Sequence, residues 1–91
     1  MSDSTVFIAL QDVDESRPIV EAIVEDNPDT VVEHPPAMVR ITAPGKLVVN
    51  RSSVSDKLGM DWDPQDIQLV LISFGGHLDE DDDHFTVYWN D

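Results

Sequence analysis

A chain of 91 residues without a cysteine has to hold itself together by burying apolar side chains, because neither disulfides nor thiolate metal sites are open to it. At this length the demand is severe, since a small domain removes a smaller share of its surface from water than a large one. Each Å² of apolar surface buried contributes about 25 cal/mol. The composition can meet the demand: 41% of residues are hydrophobic, enough for a globular fold and too many for simple disorder. The length supports one domain spanning 1–91.

The apolar residues fall in short runs between turn formers. Thr5 to Leu10 reads as a strand, and Gln11 to Asp14 turns. Asp14 or Ser16 can cap a helix whose first turn tolerates Pro18. Ile19, Val20, Ile23 and Val24 give that helix one apolar stripe, and Asn27-Pro28 stops it. Thr30 to Glu33 is β-branched and reads as a strand ended by His34-Pro35-Pro36. Met38 to Thr42 alternates, Ala43-Pro44-Gly45-Lys46 turns, and Leu47 to Val49 follows, which predicts a hairpin over 38–49. Ser52 or Ser53 can cap a second short helix, with Val54 and Leu58 inward and Gly59 as its left-handed C-terminal cap. Asp63-Pro64-Gln65-Asp66 predicts one helical turn, with Asp63 as its cap. Ile67 to Ser73 reads as a strand broken by Gly75-Gly76, and Phe85 to Trp89 as the last strand. The order βαβββαββ predicts an α+β domain, two short helices packed on a mostly antiparallel sheet.

Charge narrows the partners. Nineteen acids against five bases leave a net charge of −14. Binding of nucleic acid or of an anionic membrane is disfavoured, because both need Lys and Arg. A basic protein partner is the natural complement, although acidity also simply keeps a small protein soluble. The start MSDSTVF lacks the basic and apolar stretches of a leader, and no apolar run nears the ~18 residues of a membrane helix. The expected location is cytoplasmic.

Catalytic motifs fail on inspection. Around Gly45-Lys46, Arg40 and Leu47 stand where a phosphate loop needs its first glycine and its hydroxyl. Asp79, Asp81 and Asp83 imitate the start of a calcium loop, but His84 and Asn90 occupy the positions of its glycine and glutamate. His34, His77 and His84 have no ligand spacing, and there is no nucleophile elbow. Trp62 and Trp89 read as core or core edge before they read as a ligand site. No catalytic residue, cofactor or metal is expected, and the run Asp79 to Asp83 reads as a solvated patch that steers a partner.

Two stretches, Ala43 to Val49 and Val54 to Gly59, carry a pattern that resembles the effector (regulatory or coupling) proteins of bacterial multicomponent diiron monooxygenases. Ile19 to Ile23, Glu25 to Pro28, Leu71 to Ser73 and Asp79 to Asp83 are similar in order and spacing. The likeness runs from about Thr5 to Trp89, and the phenol hydroxylase effectors are the branch most resembled. The regulatory protein of soluble methane monooxygenase looks like a longer cousin. The resemblance implies a cofactor-free protein that binds the diiron hydroxylase component, reshapes substrate and oxygen access, and couples electron use to hydroxylation.

It also implies that Ser73, Phe74, Gly75, Gly76 and His77 face the hydroxylase. Phe74 stands where the methane enzyme's protein has a small polar residue. An aromatic beside two glycines at a strand end suits an anchor on a mobile loop, while the same ring could instead close the core edge. Asn50, Arg51, Ser52 and Ser55, on the second helix, are a second candidate surface. Two other classes stand beside this reading: an acidic nucleic-acid mimic, and an enzyme.

Overall fold

The computed structural model describes residues 5–89. Residues 1–4, within the stretch expected to carry no leader, and Asn90 and Asp91 lie outside the described residues. The first strand, β1 (Thr5–Gln11), buries Val6, Ile8 and Leu10 on one face. It runs antiparallel to β3 (Met38–Pro44) on one side and β5 (Leu71–Gly75) on the other. The short β2 (Val31–Glu33) adds to β3, giving a four-stranded sheet in the order β2-β3-β1-β5. The strands β4 (Lys46–Asn50), β7 (His84–Tyr88) and β6 (His77–Glu80) form a second antiparallel sheet, β4-β7-β6.

The helix α1 (Arg17–Asp26) lies against β4 and against α2 (Arg51–Leu58). One core joins Val39 and Ile41 of the first sheet, Leu47, Val49 and Phe85 of the second, Ile19, Ala22 and Ile23 of α1, and Val54 of α2. This is the α+β domain that the order of elements predicts.

The predicted hairpin over 38–49 does not form. At Gly45, with φ +77°, the chain leaves one sheet and enters the other. A hairpin would set the apolar stripes of β3 and β4 side by side; in separate sheets they close on one core. A second crossing occurs at Gly76, φ +138°, between β5 and β6.

Ile67 to Leu69 is not strand. Pro64–Leu69 is a 3-10 helix, and Pro64, Ile67 and Val70 are buried at a spacing of three, the period of such a helix. Asp63 caps it, accepting from the Gln65 N–H at 3.0 Å. Ser16 holds the N-cap position of α1 as expected, but its buried hydroxyl donates to the Gln11 carbonyl and does not cap the helix. At α2 it is Asn50, not Ser52 or Ser53, that sits at the N-cap. In α1, Ala22 joins Ile19 and Ile23 inward, while Val24 is exposed. Gly59 takes the left-handed cap as expected, φ +81°. Strand β6 takes in Asp79 and Glu80 of the acid run, where the order expected from the sequence has no strand.

Candidate functional site

The segment Ser73 to His77 is the end of an edge strand and a corner, not a loop. Ser73 lies opposite Ala9 and is exposed. Phe74 lies opposite Ile8, so its ring points to the core side of the sheet, but at the outermost strand, where it stays 37% exposed. The ring therefore stands at the edge of the sheet, outside the core cluster, and shows a face to solvent. Gly75 lies under the Phe7 ring, with which any Cβ there would collide. The Arg40 guanidinium lies over the Phe7 ring, 4.6 Å from its centroid.

At Gly76 an added Cβ would stand 2.7 Å from Val87 Cγ1 and 3.1 Å from the Tyr88 carbonyl. The imidazole of His77 then meets Tyr88 and, edge-on, Trp89, with centroids 5.7 and 5.4 Å away. Trp89 ties this corner to the rest of the fold. Its indole N–H donates to the Thr5 carbonyl at 2.8 Å, and its backbone N–H to the Gly45 carbonyl at 3.1 Å.

The second candidate group sits elsewhere. His77 pairs with Tyr88 at one end of β7, and Asn50 with His84 at the other. Four residue steps along a strand separate the two rows by about 13 Å. Three of its four members also work within the fold. The Asn50 amide donates to Asp26 Oδ2 at 2.9 Å. The Arg51 guanidinium grips Asp61 at 2.8 Å and the Asp82 carbonyl at 3.2 Å, and the Arg51 N–H donates to the Asp83 carbonyl. The hydroxyl of Ser55 accepts from the Trp62 N–H at 2.9 Å. Ser52 is exposed and has no such bond among the described residues.

The acid run is organised around Asp81. Its Oδ1 accepts from the Asp83 and His84 N–H groups, both at 2.8 Å. Those two bonds, the Asp83 one foremost, hold the Asp81 carboxyl below the usual carboxylate range. Arg51 does the same for Asp61, chiefly through the hydrogen bond between them. Lys57 and Glu25, 2.7 Å apart, close a third pair between α2 and α1.

A feature that the sequence reading missed lies at the far end of β1. Val13, Ile19, Leu58, Trp62, Leu69 and Val70 line an apolar groove of about 390 Å³, with Glu15 and Asp66 on its rim. Its signal was present in Leu69, apolar between two buried residues of a three-residue period and therefore turned outward.

Comparison with known proteins places all this in context. Residues 4–88 match the family model described as the MmoB/DmpM family. The stimulatory component DmpM of phenol 2-monooxygenase from Pseudomonas sp. (strain CF600) is 49% identical over 86 residues, covering 94% of this chain and 96% of that protein. A chain in a structure of a phenol hydroxylase–regulatory protein complex has a TM-score of 0.91 at 52% identity, over 94% of this chain and 99% of the other. The regulatory protein B of soluble methane monooxygenase shares 27% identity and a TM-score of 0.75, over 99% of this chain and 67% of that longer one.

Proposed function

Because the chain belongs to the MmoB/DmpM family, we propose that it is the regulatory component of a multicomponent phenol hydroxylase. It binds the diiron hydroxylase without contributing a catalytic group, and it tunes that enzyme's turnover. The observation that carries this reading is similarity over nearly the whole chain to a stimulatory component, in sequence and in fold alike. None of these likenesses supports the nucleic-acid mimic.

The physical basis is linkage. A protein that prefers one hydroxylase conformer shifts its population only by its differential affinity for the two, and about 1.4 kcal/mol of preference is a tenfold shift. The diiron centre and the aromatic substrate pocket belong to the partner. What this chain supplies is a stiff surface, because two sheets tied by Trp89 and two helices tied by Lys57 and Glu25 leave little to reorganise on docking.

Turnover of the hydroxylase and its reductase on phenol, with this protein titrated in, tests the proposal. Turnover should rise and saturate near one protein per binding site. A flat response in both turnover and product formed per electron would overturn it.

A further inference from the structure

Resting on that reading, we propose that the groove floored by Trp62 is a docking pocket. It takes an apolar side chain flanked by Lys or Arg on the hydroxylase surface. The floor is Ile19, Trp62 and Val70, buried and held in place. The Trp62 N–H is fixed by Ser55, the Asp61 beside it by Arg51, and the Gln11 N–H donates to the Val70 carbonyl at 2.8 Å. The pocket therefore exists before anything enters it.

Its walls are apolar groups left partly open to water. Leu69 is 77% exposed, more than any other large hydrophobic residue of the described chain, and Val13 and Leu58 are each 40% exposed. A collar of carboxylates surrounds them. Glu15 and Asp66 are on the rim, Asp12, Asp14 and Asp63 are in the same two segments, and no Lys or Arg lines the groove.

This pairing selects the occupant. A small neutral phenol would gain from the apolar floor and nothing from the collar. An anionic ligand would be repelled by it. An apolar side chain between basic neighbours uses both, burying its body while the rim meets its flanking charges, the arrangement in which anchors contribute most.

The experiment measures affinity of labelled protein for the purified hydroxylase. Leu69→Glu should raise Kd by about tenfold or more, as expected for a lost anchor. Its unfolding midpoint should stay near that of the parent, because the side chain packs little. Val31→Glu, an exposed position on the edge strand β2, should stay within about twofold, the scale of ordinary surface changes. Glu15→Gln combined with Asp66→Asn should flatten the salt dependence of binding.

If the parent binds and Leu69→Glu binds equally well, the pocket proposal fails and the regulatory reading stands. If the parent itself does not bind, the regulatory reading fails and takes the pocket with it. Two other results overturn this occupant while hydroxylase affinity stays unchanged. One is phenol shifting the Trp62 resonances of the free protein in a Leu69-dependent way. The other is Leu69→Glu altering only self-association in sedimentation.

Discussion

The two surfaces singled out in the sequence, Ser73 to His77 and Asn50 to Ser55, differ in what their side chains do inside the fold. In the first, the side chains of Phe74 and Ser73 make no hydrogen bond or ion pair among the described residues, and the glycines serve the backbone. In the second, Asn50, Arg51 and Ser55 are bound to Asp26, Asp61 and the Trp62 N–H. A docking residue must exchange its free-state partners for those of the complex, and a side chain already bonded has more to lose in the exchange. The contrast favours the 73–77 segment as contact surface and makes the start of α2 a brace.

The contrast breaks first at Gly76. If 73–77 were a mobile loop, an alanine there would be absorbed. The structure instead places φ at +138° with Val87 and Tyr88 in the way, so strain and overpacking act together. Gly76→Ala should cost about 2–4 kcal/mol in denaturant unfolding. Gly45→Ala, at φ +77° in open space, should cost about 1–2 kcal/mol. Equal costs at the two corners would show that close approach does not define the second.

These corners mark the limit of what the sequence made legible. Most strand positions, both helices, the Gly59 cap and the Asp63 cap could be read from local chemistry, because each depends on near neighbours in sequence. That Gly45 and Gly76 send strands into different sheets could not. Pro44-Gly45 looks the same whether β4 folds back on β3 or crosses to meet β7, and the choice rests on partners 40 residues away, as in Leu47 opposite Val87. The 3-10 helix was legible in principle, from Pro64, Ile67 and Val70, but Leu69 and Leu71 offered a competing alternation. As for the site, the sequence named Phe74 and Arg51 but could not show that one is half free and the other bound.

A paired substitution sharpens the comparison on a smaller scale. Phe74→Ala should weaken the hydroxylase complex by about 1–3 kcal/mol, within the range of interface anchors. With the ring partly exposed at an edge strand, the free domain should lose less than the about 3–5 kcal/mol of a fully buried phenylalanine. Arg51→Ala should show the reverse, a lowered melting temperature with affinity for the hydroxylase almost unchanged. Both quantities follow from unfolding of each free variant beside titration of hydroxylase activity. If Phe74→Ala unfolds easily yet activates normally once folded, Phe74 belongs to the core and the contrast collapses.

The smallest effect concerns the support beneath Arg51. The turn Asp81 to Asp83 offers Arg51 two carbonyls, those of Asp82 and Asp83, and the Asp81 carboxylate shapes that turn by accepting from the Asp83 and His84 N–H groups. These bonds favour the ionised form, so the folded-state pKa of Asp81 lies below its unfolded value of about 3.9. A group depressed in this way stabilises the fold fully above the unfolded pKa, and that contribution disappears as pH falls through the folded one. Asp81→Ala should therefore be less stable than the parent at about pH 5, and the margin should narrow below about pH 4. Salt should leave most of the margin intact, because the first two causes are backbone hydrogen bonds and not distant charges. In a double-mutant cycle, Asp81→Ala and Arg51→Ala should be less than additive, since losing the turn already removes part of what Arg51 holds. A margin that stays constant to pH 2 together with strict additivity would separate Asp81 from the brace, and would leave Arg51 resting on Asp61 alone.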